Sequence, residues 1–314
     1  MGATLVEAYR TWADRIDVSD EDIYTISQLI DRYELLVLPH KALKTQESNR
    51  ASLGRIRKVF GHLKPEELTT PDVFRYRDKV ADNHGKKTAN LDKEVFSHLY
   101  SKAIEWGVVI NHPIKGKVPK LFIPPRDRYV EDLEITEVLK VASPLIRSFI
   151  WIKLMTGGRR GDILGLSLDD IDNPNGIRFK PSKTSHSSAR RIIIPWSEEL
   201  AAWKSFTLKH RVASDSDLVF ITSRGQPYLK PNGTANAFDT LWKRFMNEAL
   251  EKTDLKERFQ QLDLRPKTAS DTDLQHASRL LVHTTEDITK KVYRRKGDTV
   301  NHVPMRHLFD DLEK

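Results

Sequence analysis

The 314-residue sequence contains no cysteine. That absence excludes disulfides, thiolate nucleophiles and cysteine-ligated zinc, and it suits a reducing compartment. No run approaches the roughly 18 consecutive apolar residues that a membrane-spanning helix needs, so no membrane association is expected. There is no Gly-x4-Gly-Lys-Ser/Thr loop to cradle a nucleotide and no His-Glu-x-x-His pair among the 11 histidines. No cofactor and no metal are expected. The opening MGATLVEAYRTWADRID carries acids where a secretory signal has a basic and then an apolar segment. Val6 stands where a myristoylation signal has Ser or Thr.

What the chain does have is positive charge, in a block. The formal net charge is +8. Residues 1–39 carry 3 basic and 8 acidic side chains, net −5, whereas residues 40–125 carry 17 basic and 9 acidic, net +8. A basic block favours an anionic partner, of which nucleic acid is the commonest inside a cell. Charge alone is weak support; many basic proteins bind no DNA.

Hydrophobic spacing points to helices through the first third. Ile26, Ile30, Tyr33 and Leu36 recur at helical intervals, as do Leu5, Ala8, Tyr9 and Trp12 before them. A helix is expected over residues 46–60, stopped by Gly61, and another opens at Thr70-Pro71-Asp72, with proline at its first position. The longest periodic stretch is 88–106, ended by Gly107. Residues 111–130 are dense in Pro, Lys and Arg without a period, a linker composition that suits either a solvated loop or a DNA contact. Beyond them, helices are expected over 136–143 and 145–155, short strands over 176–179 and 190–194, and helical pattern again from Glu198, broken by a turn at Arg224-Gly225-Gln226-Pro227 and continuing through 242–250. The expected fold is mainly α: an all-helical domain over residues 1–120, whose first 39 residues are an acidic helical part, a linker over 121–130, and a mixed α+β domain with a small antiparallel sheet over 131–314. A length of 314 suits two cores better than one.

Chemistry concentrates in three places. Tyr293 lies in TKKVYRRK with five Lys or Arg within four residues on either side and no acid in that window. A lone tyrosine is most often a packing residue, but cations here would gather phosphate beside a phenol able to act as nucleophile. In MTGGRRGDILGLSLDDI, starting at Met155, one helix ends at a glycine pair and an arginine begins another that carries Ile163, Leu164 and Leu166. An arginine there can offer a planar fork to a phosphate oxygen, with Asp162 close enough to orient it; an ordinary helix junction with a surface arginine is the plainer alternative. Lys183 sits in the turn between the expected strands.

Taken together these segments resemble the tyrosine recombinase (phage integrase) family. TGGRRGDIL from Thr156, followed by LDDI from Leu168, is similar to the signature that carries the family's first catalytic arginine, which falls on Arg159 with Asp162 as its supporting acid. KPSKT from Lys180 followed by RIIIP from Arg191 resembles the family's β-hairpin and implies Lys183 as catalytic lysine. LDLRPKTASD from Leu262 resembles the His-x-x-Arg box and implies Arg265. SRLLVH from Ser278 implies His283, and Tyr293 follows ten residues later as nucleophile. Two positions depart from the pattern: Leu262 stands where His is usual, and Val282 where Gly is usual. His276 lies nearby but reads as a surface helical residue. Looser likenesses to the family's core-binding domain run through residues 56–61, 68–70, 88–90, 103–107 and 111–114.

The resemblance implies site-specific cleavage and rejoining of double-stranded DNA through a 3′-phosphotyrosine. Arg159 and Arg265 would hold the scissile phosphate, Lys183 would protonate the leaving 5′ oxygen, and His283 would bond the phosphate or aid proton movement. It also implies a homotetramer on paired sites, a monomer or weak oligomer when free, DNA-bending accessory proteins as candidate further partners, and a cytoplasmic, bacterial or phage-encoded origin. Lys86, Lys87, Lys115, Lys117, Lys120, Arg126 and Arg128 are the expected DNA-backbone contacts. Residues 304–314 carry Met305, Leu308, Phe309 and Leu312 at helical spacing and could dock on a neighbouring subunit or on their own domain. Two other functions remain open: a weakened or inactive integrase-like DNA-binding protein, which Leu262 favours, and a type IB topoisomerase-like enzyme that relaxes DNA as a monomer.

Overall fold

The computed structural model describes residues 23–179, 192–281 and 286–295, with the Lys291 side chain left out. The chain divides into two compact units, Met1–Pro124 and Pro125–Lys314.

In the first unit four helices share one apolar core. The helix α1 (Ile26–Leu36) starts where Thr25 Oγ1 accepts the Gln28 N–H and Gln28 Oε1 accepts the Thr25 N–H, so two orphan donors of the first turn are satisfied reciprocally. It buries Ile26, Leu29, Ile30 and Tyr33. The helices α2 (Leu43–Phe60), α3 (Thr70–His84) and α4 (Lys86–Glu105) follow. As expected, Gly61 ends α2 and Pro71 lies in the first turn of α3. Gly85, at φ 85°, turns α3 directly into α4, a left-handed conformation that costs glycine little. Phe60, Tyr76, Phe96 and Tyr100 form the aromatic centre, with Phe60 and Phe96 stacked at 5.5 Å. A fully buried carboxylate, Asp92, is held by Arg55 (2.8 and 2.5 Å) and by the Tyr76 hydroxyl (2.8 Å), pinning α2, α3 and α4 together.

The second unit is built on α6 (Pro144–Thr156), which follows α5 (Asp132–Val141). The helix α5 begins four residues before the expected start, because Glu131 and Glu134 form a reciprocal cap at its N-terminus. The helix α6 buries Ile146, Phe149, Ile150 and Ile152 against α9 (Glu198–His210) and α10 (Asn236–Lys252), and Phe149, Phe220, Phe238, Trp242 and Phe259 fill the centre. Two short helices, α7 (Arg160–Leu164) and α8 (Leu168–Ile171), lead to an antiparallel pair, β1 (Ile177–Phe179) and β2 (Ile192–Ile194), in the register Ile177↔Ile194, Arg178↔Ile193, Phe179↔Ile192. Leu166 was expected on the helix that begins near Arg159; it is buried but lies beyond α7, which Gly165 terminates. The described part closes with α11 (Leu264–Ser270), α12 (Leu274–Leu280), a short α13 (Glu286–Ile288) and a π-helical turn at Thr289–Tyr293. The mainly helical class and the small antiparallel sheet are as expected. The Leu5–Trp12 pattern, the hairpin turn (residues 180–191) and residues 304–314 fall outside the described residues.

Candidate active site

The site grows from the C-terminus of α6. That helix ends in Thr156, and Gly157 takes a left-handed turn at φ 58°. A side chain there would be strained by that φ and would also collide with Leu281. The turn delivers Arg159 to the N-cap of α7, where its NH1 lies 3.8 Å from Asp162 Oδ2. The expected pairing of these two residues is therefore present, in a loose geometry that leaves the guanidinium partly exposed.

Arg265, in the first turn of α11, comes to the same turn from the other side. Its NH1 donates to Gly157 O at 2.5 Å and its NH2 to Leu281 O at 2.8 Å. It is 94% removed from solvent, at 6% exposure, and its guanidinium carbon stands 5.2 Å from the centroid of the Tyr293 ring, towards whose hydroxyl it also donates. Burial, and then the charge of Arg159, push the Arg265 guanidinium down to about 10; Tyr293 and Asp162 work in the opposite direction. Two cations so close that each disfavours the other are stabilised by an anion between them. A small cavity of about 20 Å³ opens here, lined by Arg159, Asp162 and Arg265 with Phe179, Ile192 and Leu281. The ends of β1 and β2 thus border it, and Lys183 belongs to the segment that joins them. Lys183 and His283 themselves lie outside the described residues.

Tyr293 is tied in through its backbone as well as its ring. Ser270 Oγ donates to Tyr293 O at 3.2 Å and accepts the Arg295 N–H at 2.8 Å, while the ring packs against Ala269, Ala277 and Leu281. Arg295 NH1 reaches the fully buried Asp263 at 2.9 Å, and Asp263 also receives Arg126 in two bonds of 2.6 Å. One carboxylate therefore fixes both the start of the Arg265 box and the segment after the tyrosine.

Three residues of this site were not singled out from the sequence. Asp263 and Arg295 meet across 32 positions and show no local pattern. Lys153 did carry a signal, a charge inside the apolar run FIWIKLM: it is 1% exposed and its Nζ donates to Gly158 O at 2.9 Å. Leu262, at the departing position, is 43% exposed. His276 is exposed on α12, as expected.

Of the expected DNA contacts, Lys86 and Lys87 are exposed in the first turn of α4, and Lys115 and Lys117 are exposed in the segment after it. Lys120 pairs with Glu94. Arg126 is engaged by Asp263, and Arg128 pairs with Glu134 and lies 3.5 Å from Glu257. Among the described residues there is no cluster of groups suited to a metal ion, and no helix is long and apolar enough to cross a membrane. A larger cavity, about 360 Å³ and mostly apolar, lies beneath Ser148, Thr207 and Phe220, far in character from the charged turn.

The fold is similar to that of solved integrases. The chain is similar to a lambda integrase tetramer bound to a Holliday junction, with a TM-score of 0.70 and 19% identity, over 94% of this chain and 84% of that one. It is similar to a lambda integrase dimer bound to a COC′ core site (TM-score 0.71, 19% identity, 90% and 99% covered). It is also similar to the Tn1549 transposon integrase in complex with circular intermediate DNA (TM-score 0.67, 16% identity, 93% and 100% covered). No protein-family model matches the sequence, and no curated protein matches it. At these identities the likeness is one of fold.

Proposed function

We propose that this chain is a tyrosine-type site-specific DNA recombinase. The observation that carries the reading is the convergence of Arg159, Arg265 and Tyr293, from three separate stretches of sequence, around the Gly157 turn. The fold it shares with two integrases in complex with DNA supports the same reading.

In this proposal Arg159 and Arg265 bind the two non-bridging oxygens of the scissile phosphate and offset the charge that builds up as phosphorus becomes five-coordinate. Preorganised donors in a water-poor recess are worth most at that point. The Tyr293 phenol gives up its proton to His283 or water as its oxygen attacks phosphorus, the bond to the 5′ oxygen breaks, and a proton from Lys183 goes to that oxygen. A 3′-phosphotyrosine and a 5′ hydroxyl result. The 5′ hydroxyl of a second strand then attacks the phosphotyrosine and frees the phenol. One phosphoester is exchanged for another at each step, so no external energy source enters. His283 donates to the phosphate or relays a proton. Lys86, Lys87, Lys115 and Lys117 bind the DNA backbone, and four chains assemble on paired sites, a number that matches the lambda integrase tetramer bound to a Holliday junction.

A nicked duplex that releases its short 5′ fragment after cleavage traps the covalent stage. Duplexes bearing candidate core sites from the DNA flanking the coding sequence should give a protein–DNA adduct with the native chain and none with Tyr293→Phe. Leu262 favours a second reading, a DNA-binding relative that does not cleave. If that residue merely slows cleavage, Leu262→His should raise the adduct yield, since a general acid–base group contributes about 10²–10⁴-fold. No adduct from either chain on any duplex that it binds would support the second reading.

A further inference from the structure

The apolar helix α6 carries a cation where a hydrocarbon would pack. Lys153 is 1% exposed, its Nζ stands 5.7 Å from the Phe149 ring centroid, and it donates to Gly158 O at 2.9 Å. Arg265 donates to the preceding carbonyl, Gly157 O. Two cations from different elements thus hold consecutive carbonyls of the turn from which Arg159 projects. A core filler would not need the charge, and burying one is costly unless an opposite charge answers it.

The charges around Lys153 do not answer it. It is disfavoured by Arg265 on α11 and Arg160 on α7, and favoured by Asp162, also on α7. Arg160 pairs with Asp239, and Asp162 with Arg159. Among the described residues, four cations (Lys153, Arg159, Arg160, Arg265) therefore surround a turn that two carboxylates serve. Such an excess is relieved by an anion from outside.

We propose that Lys153 is a further anion-binding and positioning group of this site: it fixes the Gly157–Gly158 turn through Gly158 O and, when protonated, adds a buried third positive charge behind Arg159 and Arg265. The inference rests on the reading of those arginines as a phosphate site and names what regulates their affinity. Burial first, and then Arg265 and Arg160, lower the Lys153 ammonium to about 7. Around neutrality the free protein holds both forms, and the neutral amine can still donate to Gly158 O. An anion beside the arginines offsets their repulsion and draws a proton onto Nζ. By linkage, the anion binds more tightly below pH 7, where the proton is already present, and affinity falls by up to about tenfold per pH unit above it.

Sulfate tests this, because its charge is constant from pH 6 to 9. Binding of millimolar sulfate, at ionic strength held constant with chloride, is measured by calorimetry in buffers of differing ionisation enthalpy. The native chain should bind more tightly at pH 6 than at pH 8.5 and take up a proton at the higher pH. Lys153→Gln, which keeps a donor for Gly158 O, and Lys153→Met should both lose the part of that pH dependence that lies above about pH 7.5, beyond the ordinary imidazole range. Persistence of that part in either variant would assign it to another group and overturn the proposal, as would pH-independent binding by the native chain. If both variants fail to fold, the Nζ titration of 15N-lysine-labelled native protein decides: a midpoint that rises with sulfate supports the proposal, and an unmoved one overturns it. Sulfate that binds at no pH would remove the phosphate site itself, whereas normal but pH-independent binding would leave the recombinase reading intact.

Discussion

Asp263 lies fully buried with its Oδ1 2.9 Å from NH1 of Arg295, two residues beyond Tyr293. The same carboxylate is two residues before Arg265 and also holds Arg126. Arg265 and Tyr293 are thus registered against each other by a single ion-pair hub.

Removing that hub should be costly. Asp263→Ala leaves Arg295, itself 92% buried at 8% side-chain exposure, without its opposite charge, and breaking a buried pair costs about 3–5 kcal/mol. Guanidinium unfolding should show a loss of that order. Arg126→Ala, which removes a partner that is 40% exposed, should cost about 1 kcal/mol or less.

Gly157 is held at φ 58°, with Leu281 in the space a side chain would take. Gly157→Ala should destabilise the second unit by about 1–3 kcal/mol through strain. It should also lower adduct formation more than DNA affinity, because the turn aims Arg159. Band-shift and single-turnover cleavage measurements on the same preparation separate the two effects.

Arg265→Lys keeps a charge but loses the planar fork that reaches Gly157 O and Leu281 O together. Single-turnover cleavage should fall by about 10²–10³-fold, the range for loss of one preorganised donor, with DNA affinity nearly unchanged. An equal fall in affinity would instead make Arg265 a ground-state contact.

Lys153 also makes stability depend on pH. Its proton is held less tightly in the folded chain, at about 7, than in the unfolded one, at the ordinary lysine value. Between those values the unfolded chain carries the extra proton, so stability rises with pH, by up to about 1.4 kcal/mol per unit from this group. Denaturant midpoints of the native chain should climb relative to those of Lys153→Met from pH 7 to pH 9.5. Parallel profiles would contradict the assignment.

Much of the fold was legible because its boundaries are chemical: Gly61, Pro71 and Gly107 stop or start helices whatever surrounds them. The start of α5 was not, since a glutamate served as its cap, a role more usual for Ser, Thr, Asp or Asn. In the site, Tyr293 stood out through the basic residues around it and Arg159 through the glycine pair before it, whereas Arg265 was implied only by the resemblance of its segment to a family box. Asp263 and Arg295 acquire their meaning from burial and from partners contributed by other elements. Spacing along the chain carries no record of either.

Of the eight tyrosines, Tyr293 is the one whose phenol should face a phosphate held by Arg159 and Arg265. The adduct trapped on a nicked duplex can be digested with protease and nuclease, and the nucleotide-bearing peptide sequenced by mass spectrometry. The account predicts the remnant on the peptide containing Tyr293, linked through a 3′ phosphate. A remnant on any other tyrosine, or a 5′ linkage, would contradict it.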